Sequence, residues 1–312
     1  MLGYDKHMNV LLSIIVTYNC DASLTGVVDA VYKQGAHVLI VDNGSAHEVF
    51  RLRSINEKAS FLFNATNMGI GFALNQGVSY AREREYKWIL TLDQDSLVTP
   101  GMVECLLNVY ESLGKEEKEK TAGLFAIPIE RALAGPGDFK SEPDNRRHTK
   151  VKVGITSGNM LRTEIFEKVG LFNEKLFIDY VDHDFCLRLA SAGYQLLECE
   201  GAKLIHQRGN YMQRKVLGRL TETSNHSALR KYYITRNRMY IWKTYGSSHP
   251  DFVRHDKKAF RKQLLKLLLV EDNKWAKIKM VAKGAMDCSN GRFGNLDVSK
   301  FQNASSLTSQ EH

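Results

Sequence analysis

The feature that most limits the fold of this chain is a repeated unit, in which a short apolar run ends in polar residues and a helical stretch follows. The first two runs span Val10 to Val16 and His37 to Val41. Later runs and helix-like stretches alternate at 60–63, 70–84 and 88–92. Continuous apolar runs of this length are typical of strands buried on both faces. Strands alternating with helices predict an α/β fold with a Rossmann-like, mostly parallel sheet flanked by helices.

Composition bears on size and cellular compartment. The 312 residues are 43% hydrophobic, enough for one α/β domain with an appendage. The apolar runs are all shorter than the roughly 18 residues that span a bilayer, and MLGYDKHMNV lacks the apolar part of a secretion signal. The five cysteines are odd in number and have no metal-binding spacing. These features predict a cytoplasmic protein with reduced thiols.

The pattern also predicts three segments. Residues 1–215 carry the strand–helix alternation and form the predicted α/β domain. Beyond Tyr211 the periodicity turns helical, which predicts a helical C-terminal region over 216–298. The polar residues 299–312 are predicted to be a disordered tail.

Two carboxylates, Asp93 and Asp95, flank Gln94 directly after the apolar run 88–92. In an extended chain, residues i and i+2 project to the same side, so these carboxylates repel each other unless a cation lies between them. A divalent metal whose coordination is completed by phosphate oxygens is the natural occupant. The alternative is a solvated pair of acids in a turn, and the position at a strand end favours the metal.

A second polar group ends the second predicted strand, His37 to Val41. Asp42 can accept a hydrogen bond from the imide N–H of a uracil or thymine ring, with Asn43 beside it. Thr17 and Tyr18 lie next to this pair if the first two strands are neighbours. Capping of the following helix is the alternative, and the motif alone leaves both open.

Glycines begin the helix that follows the third strand, in the segment Asn67 to Asn75. Gly69 and Gly71 allow a phosphate or sugar to approach backbone N–H groups closely. Simple turn chemistry is the alternative. A dinucleotide fingerprint is disfavoured because Leu74 stands where the third glycine would be, and because the motif does not follow the first strand.

Two acids and a histidine lie further along the chain. Asp182 and Asp184 begin a predicted helix, where either acid can act as a general base or only as a favourable charge on the helix dipole. His206 ends a predicted strand and is a candidate third metal ligand, with a structural histidine as the alternative.

These segments occur in a fixed order: TYN, VDNGS, NMGIGFALN, DQD, SGNM, VDHD and then His206. In this order the chain resembles the family 2 glycosyltransferases, which have the GT-A fold. Within them it is similar to bacterial rhamnosyltransferases that build O-antigen and related cell-wall polysaccharides. The resemblance covers roughly residues 10–245, and TLDQDS, LFIDYVDHDFCLR and YYITRNR are its most specific parts.

The resemblance implies an inverting transfer of a sugar, expected to be L-rhamnose from dTDP-β-L-rhamnose, to a saccharide or polyprenyl-linked saccharide. It implies Mg²⁺ or Mn²⁺ as cofactor. The metal ligands would be Asp93, Asp95 and His206. Donor contacts would come from Thr17, Tyr18, Asn19, Asp42, Asn43, Asn67, Gly69, Gly71, Asn75, Asp93 and Gln94. Acceptor and sugar contacts would come from Ser157, Gly158, Asn159 and Asp184. The family usually has Glu-Asp where this chain has Val181-Asp182, so the catalytic base is assigned to Asp182.

The chain carries a net charge of +8, and a dense set of Lys and Arg lies over 254–283. Phe260, Leu264, Leu267 and Leu268 share one helical face there. Such a helix can lie on an anionic membrane, here the cytoplasmic face of the inner membrane, or pack within the protein or against a second copy. The sequence leaves these alternatives open.

Other functions are ranked below rhamnosyl transfer. Another donor such as a UDP-hexose is the nearest alternative. A sugar nucleotidyltransferase is disfavoured because the first strand ends in Thr-Tyr-Asn rather than a glycine-rich basic signature. A non-enzymatic basic module that binds membrane or nucleic acid is also disfavoured, since carboxylates at strand ends repel phosphates unless a metal intervenes. No nucleic-acid partner is therefore expected.

Overall fold

The computed structural model describes residues 10–46, 57–206, 212–216 and 219–297. The chain divides into two compact units. The sheet unit comprises 1–174 and 182–207, and the helical unit comprises 175–181 and 208–312. The predicted limits at residues 215 and 298 stay predictions, and the predicted tail lies outside the described residues.

The sheet unit contains one nine-stranded sheet. Its strands are β1 (Leu11–Thr17), β2 (His37–Asp42), β3 (Ala59–Phe63), β4 (Trp88–Asp93), β5 (Leu97–Val98), β6 (Thr121–Glu130), β7 (His148–Val151), β8 (Asn159–Arg162) and β9 (Gln195–His206). They lie in the order β3-β2-β1-β4-β8-β6-β9-β5, and β7 pairs with β9. Strands β3, β2, β1 and β4 are parallel, as are β6 and β9. The remaining pairings, through β5, β7 and β8, are antiparallel.

Helices flank this sheet, and the predicted α/β fold is confirmed. They are α1 (Leu24–Tyr32), α2 (Ile70–Glu83), α3 (Met102–Ser112), α4 (Lys115–Lys120), α5 (Ile165–Val169) and α6 (Val181–Ser191). The first helix shows why these segments fold as they do. Its buried residues Leu24, Val27, Val28 and Val31 have the i, i+3, i+4, i+7 spacing of one helical face. All seven residues of β1 are buried, which is why the strand is apolar except at Ser13 and Thr17.

Strand register decides which polar residues meet at the edge of the sheet. Thr17 pairs with Asp42, and Val16 pairs with Asp93, so β1, β2 and β4 end almost in line. The short strand β5 then pairs antiparallel with β9, with Leu97 opposite Ile205. The last residue of β9, His206, is thereby brought to the loop that follows β4.

The helical unit begins with an antiparallel hairpin, β10 (Met212–Val216) and β11 (Arg219–Thr223). The prediction that the chain is helical beyond Tyr211 is therefore wrong over this hairpin. Part of the reason is a contact distant in sequence: Arg214 donates to the carbonyl of Val270 and to Asp272. Local periodicity carries no information about such a contact.

Three helices complete this unit: α7 (Ala228–Tyr245), α8 (Pro250–Leu269) and α9 (Lys274–Ser289). The predicted apolar stripe of α8 packs largely within the unit. Leu267 is 2% exposed, and the ring of Phe260 lies 5.6 Å from that of Trp242. Leu268, assigned to the same stripe, is 51% exposed and belongs to another face. Among the described residues, no helix is both long and apolar enough to cross a membrane.

A buried group of charges, here called the Glu271 cluster, consists of Glu271, Lys231 and Lys277. The ammonium groups of Lys231 and Lys277 lie 2.8 Å and 3.0 Å from the Glu271 carboxylate. Thr223 donates to the same carboxylate at 2.8 Å. Burial opposes the charge of Glu271, but bonds from both lysines and Thr223 hold its pKa below the ordinary value. Every charge of the cluster therefore has a close partner.

Candidate active site

Three potential metal ligands meet where β4 and β9 end. One ligand atom from each of Asp93, Asp95 and His206 lies within 4.8 Å of the other two, and all three residues are partly exposed. The Ser96 hydroxyl lies 2.9 Å from Nδ1 of His206 and orients the ring, leaving Nε2 as the second nitrogen. The structure thus brings together the two carboxylates and the histidine that the sequence proposed as one set.

This group has the chemistry of a site for Mg²⁺ or Mn²⁺. Carboxylates suit both ions, and imidazole suits first-row transition metals. Ligand atoms around an octahedral ion with bonds of about 2.1 Å lie roughly 3 to 4 Å apart, so small side-chain rotations close the observed group onto one ion. Among the described residues this is the one cluster of acids, histidines or cysteines with such spacing.

The ends of β1 and β2 are joined through one carboxylate. Thr17 donates to Asp42 at 3.0 Å, and both side chains are buried. The backbone N–H of Ser45 donates to the other oxygen of Asp42 at 3.0 Å, and the Ser45 hydroxyl also bonds this carboxylate. Asp42 therefore shapes the β2 turn in addition to any contact with a nucleobase.

An amide network connects β2 to the start of α2. Asn43 donates to Asn67 at 3.0 Å and accepts from Asn64 at 3.2 Å and from the N–H of Met68 at 3.1 Å. Asn67 in turn accepts from the N–H of Gly69 at 2.9 Å. The network fixes the loop that leads into α2, so the two predicted donor segments are one physical unit.

Three glycines in this region have a positive φ or a close backbone neighbour. Gly44 has φ +83°, and a Cβ there would lie 2.3 Å from the backbone of Thr66. Gly69, just before α2, has φ +89°. A Cβ on Gly71 would come 3.3 Å from the carbonyl oxygen of Asn173. The predicted glycine signal therefore has a structural cause as well as its proposed ligand role.

The residues after β1 reach both neighbouring strand ends. The N–H of Tyr18 donates to Gln94 at 2.8 Å, and the Tyr18 ring is 47% exposed. Asn19 is in the left-handed region at φ +48°, and its N–H donates to Ser45 at 2.7 Å. The backbone of Tyr18 and Asn19 therefore bonds to the turn after β2 and to the turn after β4, and the partly exposed Tyr18 side chain belongs to this connection.

The Ser157–Asn159 segment lies directly beside β4. Ser157 accepts from the N–H of Asp93 at 3.0 Å, and the N–H of Gly158 donates to Thr91 at 2.8 Å. Gly158 has φ +77°. Asn159 is buried, and its side-chain oxygen has no partner among the described residues. This segment therefore bonds to the end of β4, just before the turn that carries Asp95.

Asp182 has a specific partner that the sequence argument missed. Its carboxylate accepts from the N–H of His183 at 2.8 Å and lies 2.7 Å from Nδ1 of the same residue. The side chain keeps 20% of its surface exposed. Burial opposes its charge, but the His183 charge and these bonds hold the pKa of Asp182 below its ordinary value. An oriented, accessible carboxylate is the form a base needs.

The side chains of two other predicted site residues are buried and bonded to neighbouring residues of the protein. Asp184 is 2% exposed and lies 3.2 Å from Arg188 one helical turn later. Asn75 is buried and its amide donates to Phe172 and Glu174 while accepting from the N–H of Phe172. We therefore retain Asp182 and leave Asp184 and Asn75 out of the proposed contacts.

The family model for glycosyl transferase family 2 matches residues 13–170, which include the ends of β1, β2 and β4. The chain belongs to glycosyl transferase family 2. It is 30% identical over 237 residues to the dTDP-rhamnosyl transferase RfbF of Shigella flexneri, covering 73% of this chain and 78% of that protein.

Solved structures support the GT-A architecture. GalNAc-T7 with UDP, GalNAc and Mn²⁺ matches with a TM-score of 0.56 and 13% identity, covering 93% of this chain and 59% of that one. Residues 1–349 of Staphylococcus aureus TarS with UDP-GlcNAc match with a TM-score of 0.51 and 13% identity, covering 93% and 94%. This chain spans 40% of a longer TarS chain. Because the identities are only 13%, these likenesses establish the fold alone.

Proposed function

We propose that this glycosyltransferase transfers L-rhamnose from dTDP-β-L-rhamnose to a saccharide or lipid-linked saccharide in bacterial surface polysaccharide synthesis. The observation that carries transfer from a nucleotide diphosphate is the meeting of Asp93, Asp95 and His206 at the sheet edge. The similarity to RfbF supports rhamnose as the sugar. The free, mostly buried cysteines agree with action in the cytoplasm.

In this proposal the strand ends hold the donor. The Asp42 turn and the exposed ring of Tyr18 contact the nucleoside, and the 67–71 loop follows the diphosphate and sugar. Asp93, Asp95 and His206 would hold Mg²⁺ or Mn²⁺. When bound, this ion neutralises charge that develops on the leaving nucleotide diphosphate.

Asp182 acts as the general base. The acceptor hydroxyl attacks the anomeric carbon from the face opposite the diphosphate, and its proton passes to the Asp182 carboxylate. The bond to the diphosphate oxygen breaks as the new glycosidic bond forms. One displacement inverts the anomeric centre, so a β-L-rhamnosyl donor gives an α-L-rhamnoside. His183 keeps the carboxylate oriented and charged for this step.

A donor panel tests the proposal. Isothermal calorimetry and nucleotide-diphosphate release would be measured for dTDP-L-rhamnose, UDP-GlcNAc and UDP-glucose, each with Mn²⁺, with Mg²⁺ and with EDTA. We expect tight, metal-dependent binding and release for dTDP-L-rhamnose alone. Equal activity in EDTA would contradict the metal site.

A UDP-hexose donor is the second candidate, supported by the UDP-GlcNAc bound to TarS and the UDP bound to GalNAc-T7. A preference for a UDP-sugar in the same panel would replace rhamnose while leaving metal-dependent transfer intact. The two parts of the proposal therefore fail separately.

A further inference from the structure

Helix α8 has a second apolar face that the fold does not cover. Leu265, Leu268 and Leu269 are 57%, 51% and 52% exposed, although leucine is among the most commonly buried residues. Their i, i+3, i+4 spacing places them side by side on one helical face, here called the leucine face. The face is turned away from the buried Val253 and Leu267 on the same helix.

The surroundings of the leucine face are strongly basic. Arg261, Lys258 and Arg254 lie on the same side of α8, progressively closer to its N-terminus. The exposed cations of this stretch are Arg254, Lys257, Lys258, Arg261, Lys262 and Lys266. Between residues 252 and 269 the one acid is Asp256, which is 13% exposed and bonded to Arg238. Two acids border this stretch: Asp251 lies 3.6 Å from Arg254, and Asp272 lies 2.9 Å from Arg214. The exposed charges beside the leucines are therefore mostly positive.

A tryptophan lies shortly after this helix. Trp275, in the first turn of α9, is 79% exposed. Tryptophan rings favour the boundary between water and acyl chains, where the ring is apolar and the N–H stays hydrated. An exposed tryptophan six residues beyond Leu269 adds a second element suited to such a boundary.

We propose that the leucine face and its basic surroundings dock on an anionic lipid surface. Basic residues lower the energy of approach to anionic headgroups, and the leucines then insert at the headgroup–acyl boundary. Charge complementarity favours this occupant over a second copy of the chain, because two copies of a predominantly basic face repel each other. The inference stands independently of the sugar transferred.

The test uses the full-length protein and large unilamellar vesicles of phosphatidylglycerol with phosphatidylcholine, compared with phosphatidylcholine alone. We expect co-sedimentation with the anionic vesicles only, a blue shift of Trp275 fluorescence, and loss of binding in about 1 M salt. A Trp275→Phe variant identifies the source of the shift.

Variants separate the apolar part from the charged part. Replacing the three leucines by Gln should reduce vesicle partitioning at least about tenfold, since their exposed surface no longer leaves water. The matched control is Leu133→Gln, an 82% exposed leucine of the sheet unit. Replacing Lys258, Arg261 and Lys262 by Gln should reduce it about as much, while Gln at the exposed Lys87, Lys115 and Lys140 should change it less. Melting curves verify that each variant is folded.

Analytical ultracentrifugation tests the alternative that a second copy of the chain binds the leucine face. If the wild type forms a dimer that the triple leucine variant loses, and neither binds vesicles, the lipid proposal is wrong and the face is an interface between copies. Equal partitioning of wild type and both triple variants would also overturn it.

A second inference, from a different observation, concerns the segment leading to Asp182. Phe177, Asp179 and Tyr180 have φ of +65°, +63° and +65°, a left-handed conformation that non-glycine residues adopt only when their surroundings enforce it. We call this segment the left-handed turn. Two residues beyond it comes Asp182.

One buried amide spans this turn. Asn237 of α7 is fully buried and donates to the carbonyl oxygens of Leu176, Ile178 and Asp179 at 2.8, 2.7 and 2.9 Å. Arg236 donates to Leu176 as well, at 2.9 Å.

We infer that Asn237 is a positioning residue for the base, an inference that rests on the proposed role of Asp182. Without its amide the left-handed turn relaxes, and the start of α6 shifts with it. Displacement of a reacting group by about 1 Å can lower a rate by up to about 100-fold.

The test compares Asn237→Ala with Ile241→Ala, a buried residue one helical turn later on α7 that leaves a cavity instead. At a temperature where both are folded, we expect Asn237→Ala to lower the kcat of transfer about tenfold with donor affinity unchanged, and Ile241→Ala to keep kcat. Equal kcat in the two variants would overturn the positioning role. Full transfer by Asp182→Asn would instead reject the base itself, so the two failures are distinguishable.

Discussion

Charged side chains gather in both units of this protein, but their surroundings differ. In the sheet unit, Asp93, Asp95 and His206 are partly exposed and converge at a strand edge. In the helical unit, Glu271 and Lys277 are 1% exposed and Lys231 is 9% exposed, and the carboxylate binds both ammonium groups. In the first arrangement two acids and a histidine lie close together, whereas in the second one acid lies between two cations. The difference teaches that partly exposed acids converging with a histidine at a strand edge are typical of a ligand site, whereas buried and mutually satisfied charges indicate structure.

The largest expected effect is on catalysis in the sheet unit. Asp182→Asn should lower the kcat of transfer by roughly 10² to 10⁴-fold, because the amide cannot take the proton. Donor affinity by calorimetry and the melting temperature should stay close to wild type. Because the pKa of Asp182 is held low, protonation of this acid itself should limit transfer only below the ordinary range of an aspartate.

The matched control is Glu83→Gln, which removes an exposed carboxylate at the end of α2 and should change neither rate nor affinity. Normal turnover by Asp182→Asn would show that this acid is not the base.

In the helical unit, we expect loss of a buried charge to lower the stability of the protein. Glu271→Gln leaves Lys231 and Lys277 buried without their counter-ion, which we expect to cost about 3 to 5 kcal/mol in the free energy of unfolding. Urea unfolding followed by circular dichroism measures it. The control, Glu222→Gln, removes an exposed acid of β11 and should cost less than about 0.5 kcal/mol. A loss of activity without a loss of stability in Glu271→Gln would break the comparison, since the cluster would then behave as a site.

Acid should weaken the helical unit through His226. Burial, followed by the positive charges of Arg230 and Lys231, lowers the pKa of His226 to about 4, against 6.5 for the ordinary residue. The unfolded chain therefore takes up this proton first as the pH falls. The contribution of neutral His226 to the free energy of unfolding is complete above pH 6.5. It is lost as the pH falls from 6.5 towards about 4, and the loss is about 2 kcal/mol after allowing for partial exposure.

Unfolding free energies at pH 7 and pH 5 test this sign. His226→Gln should show a smaller loss between the two pH values than wild type, whereas Gln at the exposed His255 should not. If His226→Gln loses as much stability as wild type, the buried neutral histidine is not the cause.

The smallest effect concerns Asp95. In EDTA, Asp95→Asn should leave the melting temperature unchanged or raise it by a few degrees, because it removes repulsion between two neighbouring carboxylates. Adding Mn²⁺ should stabilise wild type more than the variant. A marked drop in the melting temperature of Asp95→Asn in EDTA would place this acid with the structural charges.

The sequence predicts the sheet unit well because its signals are local. Apolar runs such as Leu11–Thr17 become strands, and each polar cluster directly follows one. The sequence could group the three candidate metal ligands because Asp93 and Asp95 are near neighbours and His206 ends a recognisable strand. The partnership of Asp182 with His183 also lies within adjacent residues, and only its geometry required the structure.

The helical unit was less predictable because its determinants are distant in sequence. The hairpin at 212–223 is tied to residues near 270, and Lys231 reaches an acid 40 positions later. Periodicity placed Leu267 and Leu268 on one helical face, whereas in the folded helix Leu267 is 2% exposed and Leu268 is 51% exposed. A hydrophobic pattern alone does not distinguish two apolar faces of one helix.

The pairing of β5 with β9 has a consequence for how the protein matures. Ser96 and His206 are 110 positions apart, so the aspartates leave the ribosome long before the histidine does. In the proposed metal site, a nascent chain, or one cut before residue 206, carries the acidic pair without its proposed third ligand. We then expect full affinity for the ion only when β9 has joined the sheet, so that manganese binding would report the completion of folding rather than its beginning.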